Sequence, residues 1–531
     1  VGKLVRIGGW VKTGRDAGAG AWCFLEVNDG SCFNNLQVIV NQEVAAEVGG
    51  LRQLTPTGTC VLIEGLLSET PEGTMQAVEV KGQKVLHVGK CDPATYPMAK
   101  KRQTMEFLRE KMHLRARTNT IGAVARIRNA LARATHLFFQ EHGFLYMHSP
   151  LVTTSDCEGA GEMFQVTTLL SKVDEESKRP TVSAEDVEHL AVEVEKQGAV
   201  VKEAKAAAAG DKGNKELKST ADAEVAKLLA LKKEQQEVTK RARYVGGLAR
   251  LADGRVDYSE DFFSKPAFLT VSGQLQGEYY ACGLTSIYTF GPTFRAEDSN
   301  TSRHLAEFWM IEPEIAFCDL TDCMKCAEDY VQFCCRHVLE HCKQDMAFIN
   351  KLIDKGAIER VERVSRQEFK RLSYTEAIEI LQEAVKSKKK KFVEKVEWGV
   401  DLASEHERYI AEEVFQQPVT VYDYPKDIKA FYMKLNPDDK TVRAMDVLVP
   451  KVGELIGGSQ REDVYEVLKA RMEQLGMDPA PYEGYLDIRK YGSVPHSGFG
   501  LGFERLIMFV TGISNIRDVI PFPRYPGNAM Y

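Results

Sequence analysis

One stretch with two apolar ends and a charged middle limits the possible folds of this chain more than any other. It reads TFGPTFRAEDSNTSRHLAEFWMIEPEIAF, residues 289–317, and its ends have the length and alternation of β-strands. Alternate residues of a strand share a face, so Arg295 and Glu297 are predicted to lie side by side. Such a pair can hold a phosphate and an adenine amine together. A surface hairpin carrying an ion-pair network is the alternative.

The sequence lacks the common loop motifs that bind phosphates. It contains no G-x-x-x-x-G-K-[ST] loop, and GFGLGF at 498–503 lacks the G-x-G-x-x-G spacing of dinucleotide-binding turns. A nucleotide site would therefore have to be built on a flat sheet that carries arginines.

Length and composition allow more than one domain. The chain has 531 residues, 44% of them hydrophobic, and a net charge of -7, so any site for a polyanion must be local. No apolar stretch approaches the roughly 18 to 20 residues that span a bilayer, and no leader-like segment opens the chain. We therefore expect no membrane partner and a cytoplasmic location. The start at Val1, inside a predicted strand, leaves a preceding segment open.

The twelve cysteines lack the spacing of a disulfide framework, which fits a reducing compartment. Six of them, with His337 and His341, cluster at 318–342 and raise the question of a zinc site. The same segment has the pattern of one helix, in which buried cysteines commonly serve as small apolar residues. Core packing is the favoured interpretation.

Changes in composition divide the chain. Residues 1–92 alternate like five short strands and predict a small β-barrel of the oligonucleotide-binding type. Residues 93–118 are a basic hinge, and 119–531 mix helices and strands irregularly, which predicts an α+β catalytic domain. Within it, residues from about 172 to 250 are rich in Ala, Lys and Glu and almost free of aromatics. This part is predicted to be a helical or disordered insertion.

Three stretches together resemble the signatures of class II aminoacyl-tRNA synthetases. They are EHGFLYMHSPLV with Pro150, FGPTFRAEDSNTSRHLAEF, and SGFGLGFERLIMFVTGISNIRDVIPFPR. A barrel before the catalytic domain is similar to the subclass that handles aspartate, asparagine and lysine. The resemblance implies an antiparallel sheet flanked by helices, a homodimer, bent ATP and an aminoacyl-adenylate intermediate.

The resemblance also implies residue roles around ATP. Arg295 is expected to clamp the α-phosphate, and Arg505 to cover the adenine opposite Phe308 and reach the γ-phosphate. Arg303 and His304 would steady the phosphates, and Glu297 would accept from the adenine amine. Asp446 and Glu454 match the acids that hold Mg²⁺ in this family, with ordinary strand-end carboxylates as the alternative.

The stretch TVSGQLQGEYYACGL, residues 270–284, bears on the amino acid. Aspartate enzymes of the family usually carry a lysine where this chain has Gly277, followed here by Glu278. A pocket without that lysine resembles the asparagine-specific members, in which Glu278 would read the amide nitrogen and Arg461 the amide oxygen. Ser272, Gln274 and Glu158 match the remaining amino-acid-binding positions. Asp298 departs from many asparagine enzymes, which have an amide there.

The barrel resembles the anticodon-binding domain of this subclass. Phe24 and Gln37 match residues that stack and read the central uridine, and Lys12 and Arg15 would neutralise phosphates. Without the resemblance, Phe24 would be interpreted as core.

The expected function is ATP-dependent ligation of asparagine to its cognate tRNA. An aspartate-specific or dual enzyme, a non-catalytic tRNA-binding paralogue, and an enzyme that amidates aspartate are the alternatives. A catalytically dead paralogue usually loses a phosphate-binding arginine or a metal-binding acid, and Arg295, Arg505, Asp446 and Glu454 are all present.

Overall fold

A closed five-stranded barrel forms the N-terminal part of the chain. The structure is a computed structural model that describes residues 1–74, 76–98, 101–155, 162–211 and 213–531. The strands pair in the order β1-β2-β3-β5-β4, and only β3 and β5 run parallel. Alternate apolar residues such as Val11, Leu25 and Ile63 fill the interior. The elements are β1 Leu4–Ala17, β2 Trp22–Asn28, β3 Leu36–Asn41, α1 Gln42–Ala46, β4 Cys60–Glu69 and β5 Val78–Gly89.

The predicted hinge contains two short helices, α2 Met105–Glu110 and α3 Met112–Arg115. Arg109 and Arg115 tie this segment to the C-terminal part of the chain. The Nη2 of Arg109 lies 2.6 Å from Asp518 Oδ2, and Arg115 donates to the carbonyl of Ile520 at 2.6 Å. The described part of the connection is thus anchored by charged hydrogen bonds.

Helix α4, Asn119–Glu141, leads to a short edge strand, β6 Leu145–Tyr146. One stripe of α4, which includes Ile127, Leu131 and Phe138, is buried against the main core. The opposite side of the helix stays accessible.

Residues 152–154 and 164–269 form a compact unit of their own, longer than the predicted insertion. Two long helices dominate it, and few of their side chains are buried because most positions are Ala, Lys or Glu. Ser183 and Asn214 cap their N-termini with side-chain oxygens. The elements are β7 Val152–Thr153, β8 Gln165–Val166, α5 Val173–Glu176, α6 Ala184–Gly210, α7 Lys215–Arg241, β9 Tyr244–Val245, β10 Leu248–Ala249 and β11 Ala267–Leu269.

The remaining elements complete the α+β domain. Its helices are α8 Gln274–Leu284, α9 Leu320–His341, α10 Lys343–Leu352, α11 Ala357–Arg366, α12 Tyr374–Lys386, α13 Ser404–Arg408, α14 Tyr465–Gln474, α15 Glu483–Lys490 and α16 Phe503–Thr511. Its strands are β12 Ser286–Phe294, β13 Glu307–Ala316, β14 Lys370–Ser373, β15 Val419–Pro425, β16 Thr441–Val449, β17 Gly453–Gln460 and β18 His496–Gly502.

An eight-stranded sheet is the centre of this domain, in the order β14-β15-β16-β17-β18-β13-β12-β6. The six inner strands are antiparallel, as expected, but both edge strands run parallel to their neighbours. The predicted antiparallel pairing thus holds for the six inner strands, and the structure adds a parallel strand at each edge. The chain reaches β15 from β14 through α12, and a crossover of this kind permits parallel pairing where a hairpin does not.

The cysteine cluster at 318–342 lies on α9 and its flanks, within the core on one face of the sheet. Cys323, Cys334 and Cys335 are fully buried, and burial raises the pKa of the Cys334 thiol to about 12. Neutral thiols there pack as apolar groups. Within the described ranges, no group of three or more His, Cys, Asp or Glu side chains is arranged to hold a metal ion.

Candidate active site

Three glycines of β18 form the floor of the site. Gly498, Gly500 and Gly502 alternate with Phe499 and Leu501, which point into the core on the other face of the sheet. A methyl group on Gly498 would overlap the Glu314 carboxylate, and one on Gly500 would lie 2.5 Å from the Met310 methyl carbon. The glycines of the GFGLG pattern therefore keep this face of the sheet flat, as a nucleotide site built on a sheet was predicted to require.

Strand β13 pairs with β18 and extends the floor of the site on one side. Its alternate residues Phe308, Met310, Glu312 and Glu314 share one face, because Ile311 between them is buried in the core on the other. Phe308 lies at one end of the row and Glu314 at the other. The row defines two ends of the site, one around Phe308 and one around Glu314.

All six residues predicted for ATP line one cavity at the Phe308 end. They are Arg295, Glu297, Arg303, His304, Phe308 and Arg505, and Glu454, Gly500 and Gly502 complete the wall. The guanidinium carbon of Arg295 lies 5.5 Å from the Phe308 ring centre, a cation–π distance. The two phosphate-binding arginines of the prediction therefore open onto the same space.

The local geometry around Arg295 differs from the prediction in one respect. Regular strand β12 ends at Phe294, and residues 295–306 form a loop, so strand alternation does not place Arg295 and Glu297. They still lie on one side, with Arg295 Nη1 3.8 Å from Glu297 Oε1. The backbone N–H of Arg295 donates to the carbonyl of Ala306 at 2.9 Å, which holds the loop ends together.

His304 is held by two hydroxyl groups of the same loop. Its Nδ1 lies 3.1 Å from Ser299 Oγ and 2.5 Å from Thr301 Oγ1. Burial lowers the pKa of His304, and the nearby guanidinium of Arg505 lowers it further. At neutral pH His304 therefore contributes hydrogen bonding rather than a positive charge.

Acidic side chains border the cavity on the side of β16 and β17. A methyl group on Gly457 would lie 3.1 Å from Glu454 Oε1 and 3.4 Å from Asp446 Oδ1, so both oxygens face the same small space. Asp446 also accepts from Lys429 Nζ at 2.9 Å. Glu407, which the sequence reasoning missed, accepts from the backbone N–H of Glu454 at 2.9 Å. Burial, together with repulsion from Glu454, raises the pKa of Glu407 to about 8.

Four predicted amino-acid-binding residues meet at the Glu314 end. The Ser272 hydroxyl donates to Glu312, and the Gln274 side chain donates to Glu278 Oε1 at 3.0 Å. Arg461 lies 3.9 Å from Glu278. All four are buried. The fifth predicted residue, Glu158, lies outside the described residues.

Glu278 is more fully engaged than the sequence suggested. Its carboxylate also accepts from Tyr485 Oη at 2.7 Å and Arg489 Nη2 at 2.7 Å, and it contacts His496 Nε2 at 2.8 Å. Burial alone would raise the pKa of Glu278, but Arg489 and His496 outweigh it and the pKa lies below its usual value. Glu278 is an ionised and well-satisfied anion in the core of the pocket.

The sequence reasoning also missed Glu312, Glu314, Arg489 and His496. A signal existed for the first two, because acids at alternate positions in the apolar strand IEPEIA must lie on one face. Arg489 and His496 come from α15 and β18, and no local pattern connects them to β13.

The predicted anticodon residues lie on the outer surface of the barrel. Phe24 and Gln37 are half-buried there, while their neighbours Leu25 and Val38 fill the interior. Phe24 is thus not core. Exposed Arg15 stacks over the Phe24 ring at 5.3 Å. Gln37 donates to Glu79 at 2.8 Å.

Lys12, the fourth predicted anticodon residue, is half-buried. Its ammonium donates to the carbonyl of Arg117 at 2.6 Å. Burial lowers its pKa, with further lowering by Arg126 and Arg117.

Two family models match the chain. Residues 249–526 match tRNA synthetases class II (D, K and N), and residues 5–88 match the OB-fold nucleic acid binding domain. The chain belongs to the class II tRNA synthetases of this group, and the predicted fold class is confirmed.

Similarity to individual proteins narrows the assignment. The chain is 56% identical to "Asparagine--tRNA ligase, cytoplasmic 1" of Arabidopsis thaliana, over 99% of this chain and 91% of that protein. It is 49% identical to the "Asparagine--tRNA ligase" of Protochlamydia amoebophila, over 100% and 96%. A solved structure of asparaginyl-tRNA synthetase from Pyrococcus horikoshii, complexed with asparaginyl-adenylate, aligns with a TM-score of 0.72 at 31% identity, covering 99% of this chain and 96% of that one. Within its class the chain belongs to the asparagine--tRNA ligase family.

Proposed function

We propose that the two ends of the β13 row divide the ligation of asparagine to tRNA between them. ATP occupies the Phe308 end, and asparagine occupies the end at Glu314, with its carboxylate towards the α-phosphate. The observation that carries this proposal is that the predicted ATP residues line one cavity at Phe308, while the predicted amino-acid residues form one buried network that contacts Glu312 and Glu314 of the same strand. The seven residues from Phe308 to Glu314 extend for roughly 20 Å, which accommodates a nucleotide and an amino acid end to end.

Positioning and positive charge supply the chemistry. The asparagine carboxylate attacks the α-phosphate, the bond to the β-phosphate oxygen breaks, and pyrophosphate leaves with the electron pair. The attacking group is already ionised, so no general base is needed. Arg295 meets the charge that grows on the α-phosphate oxygens, and its planar fork binds two oxygens at once. Arg505 and Arg303 hold the outer phosphates. A hydroxyl of the terminal ribose of tRNA then attacks the acyl carbon and loses its proton, the acyl–phosphate bond breaks, and AMP leaves with the electron pair.

The acids beside the cavity fit a magnesium ion. Mg²⁺ is typically bound by one or two carboxylates together with substrate phosphates, and two carboxylate oxygens converge over Gly457. We assign Asp446 and Glu454 as these ligands. When bound there, the ion would neutralise phosphate charge. The Glu407 carboxylate accepts a hydrogen bond from the backbone N–H of Glu454 and so helps to fix the position of this residue.

Recognition of the asparagine side chain falls to Arg461, which donates to the amide oxygen. Glu278 was expected to accept from the amide nitrogen. Because four side chains already contact its carboxylate, we assign it mainly to orienting Gln274 and balancing the arginines. We assign Ser272 and Gln274 to the α-amino group, and Glu158, outside the described residues, is assigned there by resemblance alone.

The outer face of the barrel is proposed to bind the anticodon. Phe24 offers a ring for stacking, Gln37 offers an amide for reading a base edge, and Arg15 offers a charge for phosphate. Lys12 is better placed to fix the barrel to the connecting segment, since its ammonium already donates to Arg117.

A homodimer is proposed on the basis of the edge of the large sheet. Strand β6 leaves its outer backbone edge unpaired within the described part of the sheet, and its Leu145 and Tyr146 are exposed. Next to it lies an apolar groove of about 670 Å³. A second copy of this chain, related by a two-fold axis, would cover both features. Lining residues include Ile121, Val124, Tyr146, Phe290, Trp309 and Phe503.

A cytoplasmic location is proposed from the relatives whose names state it. None of the helices in the described ranges has the length and apolar content that a membrane crossing requires.

Competing substrates test the proposed function directly. The purified protein is assayed for ATP–pyrophosphate exchange and for tRNA charging with asparagine and aspartate in parallel. We expect exchange and charging with asparagine and at least about a hundredfold lower kcat/KM with aspartate, because the site lacks a cation at position 277. Equal use of both amino acids would identify a dual enzyme and refute the proposed selection.

A further inference from the structure

Glu314 is a buried carboxylate that grips the guanidinium of Arg461 with both oxygens. Arg461 Nη2 lies 2.5 Å from Glu314 Oε1, and Arg461 Nε lies 3.2 Å from Oε2. Neither side chain has more than a few per cent of its surface exposed. A two-point contact of this kind fixes the plane of the guanidinium as well as its position.

Arg461 keeps donors for a ligand despite this contact. An arginine side chain has five N–H groups, and Glu314 takes two of them. Ser459 Oγ takes a third at 2.9 Å. Within the described residues, the hydrogen bonds of Arg461 thus leave two N–H groups, both on the terminal nitrogens and oriented by Glu314.

Glu312, the neighbouring buried acid on β13, is held apart by Ser272, Thr289 and the backbone N–H of Gly273. Among the charged side chains that pair around Arg461, the charges are balanced. Glu278 and Glu314 bring two negative charges, and Arg461 and Arg489 bring two positive charges, all in side chains that are buried. His496 contacts Glu278 and adds a charge only when protonated. An uncharged amide can enter such a cluster without disturbing it. A carboxylate would leave an excess negative charge in a medium of low dielectric constant, which is costly.

Gly277 lies directly against Glu314. A methyl group on Gly277 would lie 3.2 Å from Glu314 Cγ, so any longer side chain there would run along the Glu314 side chain. A positive charge introduced at position 277 would therefore lie beside the negative charge of Glu314 and offset it.

We propose that Glu314 is a specificity-determining residue: it positions Arg461 for an amide oxygen and supplies the negative charge that makes the pocket reject aspartate. Its role depends on the proposed function, because it requires Arg461 to contact the substrate side chain. Removal of the charge of Glu314 would leave the cluster with one net positive charge, the balance that suits a carboxylate.

The substitution Glu314→Gln tests the inference, since it keeps the size and removes the charge. Pyrophosphate exchange is measured at pH 8 with asparagine and aspartate as separate substrates. We expect the ratio of kcat/KM for asparagine to that for aspartate to fall by at least about tenfold, with a lower KM for aspartate. Glu314→Asp keeps the charge and is expected to preserve the preference for asparagine, even if both rates fall.

Glu328→Gln is the matched control. Glu328 on α9 grips Arg371 with both oxygens at 3.1 Å, as Glu314 grips Arg461, but it lies outside the site. We expect this variant to lose stability without any change in the ratio.

The outcomes separate the inference from the proposed function. Glu314→Gln with both substrates weakened equally, in a variant whose thermal unfolding matches that of Glu328→Gln, would overturn the role of Glu314 and leave asparagine activation intact. Wild-type protein that fails to activate asparagine would instead refute the proposed function. If Glu314→Gln does not fold, Glu314→Asp still decides, because a collapse of its asparagine preference would contradict a role for the charge.

Discussion

Arg505 and Glu454 form an ion pair in the lining of the cavity proposed for ATP, with Arg505 Nη1 3.0 Å from Glu454 Oε2. Burial alone would raise the pKa of Glu454, but Arg505 outweighs it and the pKa lies below its usual value. The proposed phosphate-binding cation and the proposed metal-binding acid thus neutralise each other. A triphosphate that arrives with Mg²⁺ brings a partner of opposite charge for each, so the pair can exchange partners without leaving either charge unpaired.

If Glu454 exchanges Arg505 for Mg²⁺ in this way, Glu454→Gln should change the magnesium requirement of the reaction. The variant keeps the size of the side chain but loses an anionic ligand, so we expect the Mg²⁺ concentration for half-maximal pyrophosphate exchange to rise by about tenfold or more. Titration of exchange activity with MgCl₂ at fixed ATP measures this. Glu412→Gln serves as the control, because it removes a carboxylate that pairs with exposed Arg408. An unchanged magnesium requirement in Glu454→Gln would remove this acid from the metal site.

Arg295→Ala is expected to reduce pyrophosphate exchange by at least about a hundredfold, the usual effect of losing one donor to a developing oxyanion. Arg295→Lys should recover little of the loss, because lysine cannot reproduce a two-point contact. Arg363→Ala, which removes an exposed arginine paired with Glu359, controls for loss of surface charge. Thermal unfolding should show all three variants folded. Full activity in Arg295→Ala would exclude it from the mechanism.

The preference for asparagine should depend on pH. Burial, with repulsion from Glu278, raises the pKa of Glu314 to about 7 despite the facing Arg461. Above this pKa the carboxylate is charged and aspartate is rejected, and below it the negative charge is lost. We therefore expect the asparagine-to-aspartate ratio of kcat/KM to fall as the pH is lowered from 8 to 6.

The raised pKa of Glu314 also determines whether its contribution to folding stability rises or falls with pH. The native state holds the Glu314 proton more tightly than the unfolded chain, so this contribution to stability is present at low pH and lost as the pH rises towards 7. Glu278, Glu312, Arg461, Arg489 and His496 are the other charged or titratable groups around Glu314. In Glu314→Gln the pH dependence of the ratio should disappear. If it persists, His496 or another of these groups is responsible and the assignment is wrong.

Phe24→Ala should weaken the use of tRNA but not the activation of asparagine. Loss of one base–aromatic stack costs about 1–3 kcal/mol, so we expect KM for tRNA to rise roughly 5- to 150-fold with unchanged exchange in the absence of tRNA. Phe317→Ala removes an exposed ring from the catalytic domain and is the control. A normal KM for tRNA in Phe24→Ala would contradict anticodon binding at this face.

Leu145→Glu should shift the protein towards a monomer. A charge on strand β6 would be buried against the partner if two copies meet at this edge. Sedimentation or light scattering at several protein concentrations measures the mass. Exposed Leu475, changed to Glu, is the control for added charge. Wild-type protein that is monomeric at all concentrations would refute the dimer itself.

Local sequence patterns located the strands around the candidate site and residues that the fold brings together there. Alternation in 289–317 gave the strands around the charged loop, and the resembling signatures selected six residues that the fold brings to one cavity. The structure differs from the prediction where neighbouring elements decide the outcome. Arg295 lies in a loop because the hairpin opens after Phe294, and β6 and β14 are parallel because helices lead the chain back to the sheet.

The sequence by itself determined the class of fold, the family and the types of side chain at the ATP end, because these depend on short motifs and on periodicity. Only the tertiary structure decided which charges are shared. The charged cluster is assembled from five separate parts of the chain: Glu314 on β13, Arg461 just after β17, Glu278 on α8, Arg489 on α15 and His496 on β18. Each of these side chains affects the others only because folding removes water from between them. The balance of charge in the pocket is a property of that buried arrangement, and no segment of the chain carries it alone.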